Sequence, residues 1–533
     1  MRQFFIYCIG VTFTLFSLTM EVFSAEAFSD ILLRAWQGDV NAQNAAGYAY
    51  FTGEGVEKNP QMAFYWYKKA AERGDMIAQY NLGSYYKNGY GMEKNETQAF
   101  YWFMRSAEQG FVTSQLNLGW CYDTGFGTEQ NKQEACRWYL IAAERGEPTA
   151  QCNLGINYEN GDGVAKDEDM AFLWYTKAAL SGNAKAQYRL GLCYQLGKGT
   201  KVDEEQAFAW YKKAAEQGHA DAQLNTGWCY GTGYGTEENS IEAVRWYKKA
   251  AEQGNAIAQC NLAGFYKTGE GLHTDSAAAF EWYKKSAEQG YVNAMINLAW
   301  CYENGFGTET DAETAIEWYT RAAEAGNDMA QLVLGNCMEQ GIHCSRDLQK
   351  AFYWYEQSAK QDNAEAAYFL ARCLSNGIGT EEDHKEAFKW YQKSAEGDYP
   401  DAMYALAQCY ETGDGTIPSK KQAFEWYQKA SGEGIAEAYQ KLANCYIYGI
   451  GTMANSKSAF ESIDMALALE YNCDFLYTKG ELFSILKDRQ NSIKIYNEIN
   501  KACPKYFDNT SAKNRNTKFF KYIERMKMLN LIQ

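Results

Sequence analysis

Proline and histidine are both scarce in this chain of 533 residues, with five prolines and four histidines. The low proline content and the 16% share of aromatic residues argue against a disordered chain, because disordered segments are poor in aromatics. His219, His273, His343 and His384 share neither a helical face nor a common spacing, and none stands in a zinc-binding motif. The sequence therefore predicts no metal, no cofactor and no enzyme activity.

Long apolar segments are also missing, except at the N-terminus. Arg2 precedes an uncharged stretch from Phe4 to Met20, and the small residues Ser24 and Ala25 follow. This order is typical of a cleaved signal peptide, which we place at residues 1–25. The alternative is an uncleaved anchor, because about 17 apolar residues approach the length that spans a bilayer. We expect an exported protein, periplasmic or secreted, or in the endoplasmic reticulum lumen if the source is eukaryotic.

Basic residues are in deficit over most of the chain, and the formal net charge is −16. The deficit is uneven, because residues 473–533 carry 12 Lys and Arg against 6 Asp and Glu. The remainder holds 39 basic and 61 acidic residues, a net charge of about −22. An acidic surface repels phosphate backbones, so nucleic acid is not predicted as a partner.

Tryptophan, by contrast, recurs with a fixed period. Eleven tryptophans stand 36 residues apart, without one insertion or deletion over 360 residues. A constant period of about 20 to 50 residues indicates stacked units that bury their apolar faces against their neighbours. The eleven are Trp66, Trp102, Trp138, Trp174, Trp210, Trp246, Trp282, Trp318, Trp354, Trp390 and Trp426.

Each unit reads as two helices joined by a turn that contains glycine, and residues 75–110 serve as the example. Asp75 and Asn95 are suited to cap the N-termini of the two helices, and Gly89 is suited to end the first. The position of Gly83 holds only glycine or alanine in the units that follow. Small side chains allow helix axes to approach closely, so each tryptophan of the second helices is expected to fill the core beside them.

The repeated motif is A-x-x-x-L-G-x-x-Y-x-x-G-x-G followed by A-F-x-W-Y-x-K-A-A-E-x-G, as at Ala186 to Gly199 and Ala207 to Gly218. It resembles the Sel1-like repeat, and the resemblance covers residues 26–470. The resemblance implies an all-α fold, a right-handed α/α superhelical solenoid of about twelve 36-residue helix-turn-helix repeats. It also implies an adaptor that assembles protein complexes.

The C-terminal part departs from this motif. Residues 471–506 resemble one degenerate tetratricopeptide repeat, with Gly480, Ser492, Tyr496 and Pro504 at the expected spacing. Residues 507–533 are predicted to form a basic amphipathic helix that caps the open end of the array. The alternative is a helix that makes peripheral contact with an anionic membrane or an acidic partner.

Fifteen cysteines would suggest disulfides in an exported chain, but their spacing argues otherwise. Equivalent positions of stacked helices lie about 9–10 Å apart, whereas a disulfide needs Cα atoms within about 7 Å. We expect free, buried thiols, although pairs inside one hairpin, Cys121 with Cys136 or Cys337 with Cys344, stay possible. Eight cysteines share one repeat position: Cys121, Cys193, Cys229, Cys301, Cys337, Cys373, Cys409 and Cys445.

One stripe on the first helices is a candidate binding surface. Two positions three residues apart lie off the apolar face, one rich in asparagine and the other holding tryptophan in some units and serine or arginine in others. Amides suit the backbone of an extended peptide, and tryptophan suits its apolar side chains. The alternative is that asparagine braces the neighbouring unit. The candidates are Asn81, Asn117, Trp120, Asn225, Trp228, Asn261, Asn297 and Trp300, and Asn153 shares the asparagine position.

We expect this stripe to face the concave side of the solenoid, with its tryptophans exposed. In contrast, Trp138, Trp246 and Trp318 on the second helices are expected to be packed. The predicted function is a non-catalytic exported scaffold or adaptor that binds a protein or peptide on its concave face. The alternative is a binder of carbohydrate or cell-wall glycan, because exposed tryptophan beside asparagine also suits sugars.

Overall fold

The computed structural model of the protein describes residues 25–502. These residues form 27 α-helices, and no strand occurs among them. The predicted signal peptide, apart from its last residue, and the predicted helix at 507–533 lie outside the described residues.

In chain order the helices are α1 (Ala25–Gln37), α2 (Val40–Thr52), α3 (Pro60–Glu72), α4 (Met76–Asn88), α5 (Glu96–Glu108), α6 (Val112–Thr124), α7 (Lys132–Glu144), α8 (Pro148–Asn160), α9 (Glu168–Leu180), α10 (Ala184–Leu196), α11 (Glu204–Glu216), α12 (Ala220–Thr232), α13 (Ser240–Glu252), α14 (Ala256–Thr268), α15 (Ser276–Glu288), α16 (Val292–Asn304), α17 (Ala312–Glu324), α18 (Asp328–Gln340), α19 (Leu348–Ala359), α20 (Ala364–Asn376), α21 (His384–Glu396), α22 (Pro400–Thr412), α23 (Lys420–Gly432), α24 (Ala436–Tyr448), α25 (Ser456–Leu469), α26 (Cys473–Ile485) and α27 (Arg489–Ala502).

The described chain divides into two compact units, unit 1 up to Thr274 and unit 2 from Asp275 onward. Within each unit, every helix packs on the next helix of the chain. The even-numbered helices from α2 to α24 are the first helices of the predicted repeats, and the odd-numbered helices from α3 to α25 are the second helices. The all-α repeat architecture predicted from the 36-residue register is therefore confirmed.

Side-chain caps begin most of the helices, and glycine ends the first helix of each repeat. Asn183 accepts a hydrogen bond from a backbone N–H three residues further on at 2.9 Å, and Asp203 does the same at 2.9 Å. Gly197 ends α10 with a φ of 71°, a left-handed conformation that glycine adopts without strain. The predicted caps Asp75 and Asn95 are confirmed by the same type of hydrogen bond.

A small residue on each first helix sets its distance from the second helix. Gly191 of α10 faces the ring of Tyr211 of α11, and a Cβ atom on Gly191 would lie 2.6 Å from that ring. Tyr211 is completely buried, so the ring has no space into which it could retreat. The same contact recurs in the pairs Gly119–Tyr139, Gly155–Tyr175 and Gly335–Tyr355.

Buried glutamines on several first helices tie those helices to the second helices on both sides, a contact that was not predicted from the sequence. The Nε2 of Gln223 on α12 donates to the carbonyl of Ala215 on α11 at 3.1 Å. The Oε1 of Gln223 accepts from Nε2 of Gln253, which follows α13, at 2.6 Å. The signal in the sequence is a pair of glutamines 30 residues apart. It recurs as Gln79–Gln109, Gln187–Gln217 and Gln331–Gln361.

Unit 2 contains three residues other than glycine at positions where the repeat requires a left-handed backbone. His343 has a φ of 60° and replaces the second glycine of the loop. Asp362 and Asp398 have φ values of 66° and 61° and replace the glycine that follows the second helix. Such conformations cost about 1–2 kcal/mol for a residue with a Cβ atom. Unit 2 therefore departs from the repeat in its loops and keeps its helices.

The last described hairpin consists of α26 and α27, in the segment predicted to resemble a tetratricopeptide repeat. Gly480 and Ser492, two of the predicted small positions, are both buried. The hairpin packs around a small apolar cluster, and the buried members of that cluster are Leu476, Tyr477, Ile495 and Ile499. Its assignment as a tetratricopeptide-like repeat stays a prediction.

The eight cysteines that share one repeat position are free and buried, as predicted. The two hairpin pairs that the spacing left possible also remain thiols, because Cys136 and Cys344 are free as well. Burial raises the pKa of the Cys121 thiol to about 12, which suppresses its reactive thiolate form. Cys473 differs, since it is disulfide-bonded.

Two glycine substitutions test how tightly the loops hold the stack. Gly199 has a φ of 64°, and a Cβ atom there would lie 2.2 Å from the carbonyl oxygen of Glu168 in the preceding repeat. Gly218 has a φ of 90°, and no atom lies within 4 Å of the place that its Cβ atom would take. We expect Gly218→Ala to cost about 1–2 kcal/mol through backbone strain. Gly199→Ala should cost about 1–3 kcal/mol more through the clash.

Chemical denaturation of the full chain measures both variants against the unsubstituted protein. Equal losses for the two variants would show that the loop does not pack against the preceding repeat as described.

Candidate binding surface

The first helices present one partly exposed stripe. On α6, Leu118 and Cys121 are buried, whereas Asn117 and Trp120 are half-buried and Thr124 is exposed. The last three residues stand three or four positions apart and therefore lie on one side of the helix. We call this side of the first helices the first-helix face.

Each tryptophan of this face in unit 1 packs against a ring from the loop that follows it. Ring centroids are 4.8 Å apart for Trp120 and Phe126, and 4.8 Å apart for Trp228 and Tyr234. The Nζ of Lys87, on the preceding first helix, lies 3.8 Å from the Trp120 ring centroid. Trp120 and Trp228 are half-buried, so the expectation that they are exposed is wrong. The loop ring covers part of each indole and leaves the rest accessible.

The tryptophans of the second helices are not uniformly packed either. Trp246 is 4% exposed, as predicted, with the Nζ of Lys249 at 4.0 Å from its ring centroid. Trp138 and Trp318 are half-buried, and the prediction that they are fully packed is wrong. The guanidinium of Arg321 lies over Trp318, at 4.5 Å from the ring centroid. The flexible, charged side chain of Arg321 thus packs on this ring at the surface of the array.

The candidate asparagines form hydrogen bonds within the array. The side chain of Asn225 lies near the hydroxyl of Tyr211, and that of Asn261 near the hydroxyl of Tyr247, each on the preceding second helix. These contacts brace adjacent repeats, which was the alternative interpretation of the asparagine position. A role in binding stays a prediction. The amide nitrogens of Asn117 and Asn297 donate to carbonyls four residues earlier at 2.7 and 2.8 Å, and that of Asn81 donates to Asn44 at 3.4 Å.

Two aliphatic residues connect the tryptophans of unit 1. Ile156 on α8 and Leu192 on α10 occupy the position that Trp120 holds on α6 and Trp228 holds on α12. All four are half-buried, and Leu196, one turn after Leu192, is 57% exposed. We call Trp120, Ile156, Leu192 and Trp228 the apolar row. The two middle members were not predicted from the sequence, because aliphatic residues are common on helices of any kind.

A charged cluster lies beside the middle of the apolar row. Glu159 accepts a hydrogen bond from the hydroxyl of Tyr175 at 2.6 Å, and nitrogens of Arg189 and Lys198 each lie 3.3 Å from its carboxylate. Burial opposes the ionisation of Glu159, but these three partners outweigh it and hold its pKa below the ordinary value. Burial, with the hydrogen bond to Glu159, raises the pKa of Tyr175. The carboxylate is therefore ionised, and its ion pairs with Arg189 and Lys198 join α8 to the next repeat.

In unit 2 the equivalent positions are mostly polar. Trp300 packs on Phe306 at a centroid distance of 5.4 Å and is half-buried, like its counterparts in unit 1. Arg372 extends toward the preceding first helix, where one of its terminal nitrogens lies 2.6 Å from Glu339. An apolar row of four residues therefore does not recur among the described residues of unit 2. The positions after Trp300 hold Asn336, Arg372, Gln408 and Asn444.

Metal sites, membrane spans and grooves are the other features that bear on function. Across residues 25–502, no three His, Cys, Asp or Glu side chains are arranged to hold a metal ion. No helix in that range combines the length and apolarity needed to cross a membrane. Two open grooves, of about 490 and 450 Å³, are lined mainly by second-helix residues that include Trp354 and Trp246, respectively.

Tandem pairs of antiparallel helices with one conserved packing scheme define an α/α repeat protein. The sequence model described as "Sel1 repeat" matches the chain twelve times, and the chain belongs to this family. Proteins of the family are generally non-catalytic scaffolds that bind other proteins. The matched segments are 40–75, 77–111, 112–147, 148–183, 184–219, 220–255, 256–291, 292–327, 328–363, 364–399, 400–434 and 436–461.

Two solved structures are similar to this chain, and the first supports the same assignment. One is c5321, a protective antigen present in uropathogenic Escherichia coli strains and displaying an SLR fold. The two sequences are 30% identical, and the match covers 92% of this chain and 99% of the c5321 chain, with a TM-score of 0.69. A Sel1 repeat protein from Oxalobacter formigenes is 31% identical over 58% of this chain and 89% of its own, with a TM-score of 0.46. The comparison with curated proteins found no significant match.

Two tryptophans of one repeat provide a test of how the rings are packed. Trp246→Ala removes a ring that is 4% exposed and should lower the free energy of unfolding by about 3–5 kcal/mol. Trp228→Ala removes a half-buried ring whose main aromatic partner is Tyr234, and we expect roughly half that loss. Chemical denaturation of the full chain measures both. If the two losses are equal, Trp228 belongs to the core and is not part of a binding surface.

Proposed function

We propose that this chain is an exported, non-catalytic scaffold whose first-helix face binds a segment of another protein. The observation that carries the proposal is the apolar row, four apolar side chains at one position of four consecutive first helices of unit 1. Accessible apolar residues inside a polar rim are typical of protein interfaces. The general role of the family, the binding of other proteins, supports the proposal.

The candidate residues of the sequence analysis divide between the two units. Trp120 and Trp228 form the ends of the apolar row, with Asn117 and Asn225 one turn earlier on the same helices. Asn81 and Asn261 lie on first helices outside the row, at its margins. Asn297 and Trp300 belong to unit 2, and we propose them as a separate, smaller contact area. We propose that the first-helix side of unit 1 is concave, so that the six candidates of unit 1 face the bound segment.

Three observations support export as part of the proposal. The first is the order of charged, apolar and small residues over positions 1–25, which is typical of a signal peptide. The second is the disulfide bond of Cys473, because structural disulfides persist mainly in oxidising compartments. The third is the similar structure described as a protective antigen, a description that fits a protein accessible to the host. We propose a periplasmic or secreted location on these grounds.

A second candidate function is the binding of carbohydrate or cell-wall glycan. The observation in its favour is the paired rings Trp120–Phe126 and Trp228–Tyr234, each with an asparagine one turn away on the same helix. Flat aromatic faces beside amide groups also suit a sugar ring and its hydroxyls. The aliphatic members of the row, Ile156 and Leu192, favour the protein segment, because aliphatic side chains offer a sugar no stacking surface.

Site-specific photo-crosslinking in the native host separates these possibilities. A photoreactive amino acid replaces Ile156 on the first-helix face, and in a matched control it replaces Leu173, which is 43% exposed on second helix α9. We expect a crosslinked polypeptide from position 156 and none from position 173. A crosslinked species that contains glycan and no second polypeptide would establish the alternative. Crosslinks from position 173 alone would contradict both candidates.

A further inference from the structure

The apolar row spans four repeats, with one member on each first helix. It occupies α6, α8, α10 and α12, which are consecutive first helices of unit 1. The same position holds Ser84 on the first helix before the row and Gly264 on the first helix after it. Neither residue offers a comparable apolar surface, so the row has defined ends. A ligand that follows the row therefore meets four apolar contacts in line.

The spacing of these contacts limits the conformation of the ligand. Side chains bridge consecutive first helices, as Arg189 on α10 does to Glu159 on α8. Stacked helices lie about 8–10 Å apart, so we expect neighbouring members of the row to be separated by about 9–10 Å. A polyproline II segment rises about 3.1 Å per residue with three residues per turn, which returns a side chain to the same side after about 9.3 Å. A β-strand places side chains on one side about 6.8 Å apart, at every second residue, and does not match.

Polar groups beside the row distinguish polyproline II from a helical ligand. An α-helix repeats a face after seven residues, about 10.5 Å, but its backbone groups are already hydrogen-bonded internally. A polyproline II segment leaves its backbone groups unpaired. Asn117, Asn153 and Asn225 lie one turn before members of the row, and each amide has more hydrogen-bonding groups than one internal contact uses. The flanking amides therefore complement an extended backbone better than a helix.

Charge defines one further property of the ligand. Helix α10, which carries the third member of the row, holds Lys185 and Arg189 and no acidic residue. Lys198 follows in the next loop, and both Arg189 and Lys198 converge on the single carboxylate of Glu159. Against these three cations stand Glu159 and Asp221, which acts on Tyr188 of α10, so the surroundings of the third contact carry a net charge of about +1 in a chain whose net charge is −16. An acidic side chain next to the corresponding apolar residue of the ligand would complement it.

We infer that the first-helix face of unit 1 binds a polyproline II segment of another protein, with an apolar residue at every third position. The segment spans four apolar residues, Φ-x-x-Φ-x-x-Φ-x-x-Φ, and carries an acidic residue between the two central ones. This inference rests on the proposed function, and it adds the conformation, the spacing and the charge of the bound partner.

A series of synthetic peptides tests the spacing with the unsubstituted full chain. The first is a ten-residue peptide of leucine, proline, serine and one central glutamate, with leucine at every third position. The second has the same composition, with leucine at every second position. The third is a helix-forming peptide with leucine at heptad spacing. Fluorescence anisotropy should show the first peptide binding at least about tenfold more tightly than either of the others, since a misplaced anchor loses its burial.

Substitutions in the protein test the location of the site. Ile156→Ser and Leu192→Ser should each weaken binding of the first peptide by about tenfold, and thermal unfolding shows whether each variant stays folded. The matched control is Gln408→Ser, at the same repeat position in unit 2, which should leave binding unchanged. Replacing the peptide glutamate by glutamine should weaken binding severalfold at low salt and less at high salt.

Equal binding of all spacings, preference for the helical peptide, or insensitivity to Ile156→Ser and Leu192→Ser would overturn the inference. The proposed function fails separately. Polypeptide crosslinks from position 156, found together with peptides that do not discriminate spacing, would leave a protein-binding scaffold and remove only the polyproline II assignment. An absence of such crosslinks would remove the proposed function itself.

Discussion

The contact between a small residue of each first helix and the aromatic ring of its second helix is the constraint on which the rest of the structure depends. At Gly191, a single added carbon would lie 2.6 Å from the ring of Tyr211. This contact fixes the distance between the helices, and the loop glycines, with buried glutamines in several repeats, then fix hairpins against their neighbours. A unit that must meet identical neighbours on both sides tolerates no change in length, which explains the unbroken 36-residue register.

Because the core uses the same positions in every repeat, the chain can vary mainly on the exposed side of its first helices. In unit 1 that side holds the apolar row, whereas in unit 2 the equivalent positions hold residues such as Arg372, which pairs with Glu339. One packing scheme thus supports two chemically different surfaces. A scaffold of this type changes its partner by substitutions at surface positions, without altering the contacts that hold it together.

The sequence predicted the fold well, because spacing alone determines which residues meet in a repeat array. The twelve repeats, the helix caps and the buried thiols all follow from positions that recur every 36 residues. Exposure was predicted less well, because it depends on contacts between residues that do not share a repeat position. Phe126 covers part of Trp120, and Asn225 lies near Tyr211, and neither neighbour is evident from the residue type alone. Ile156 and Leu192 were overlooked because aliphatic residues are common in helices of any kind.

Hydrogen–deuterium exchange with and without the peptide that carries leucine at every third position tests the central claim most directly. That claim is that the first-helix face of unit 1 is a binding surface and the second helices are its support. We expect slower exchange of backbone amide hydrogens in α6, α8, α10 and α12 at saturating peptide, and unchanged exchange in the second helices and in unit 2. Protection centred on the second helices, protection spread over unit 2, or no protection at any peptide concentration would contradict it.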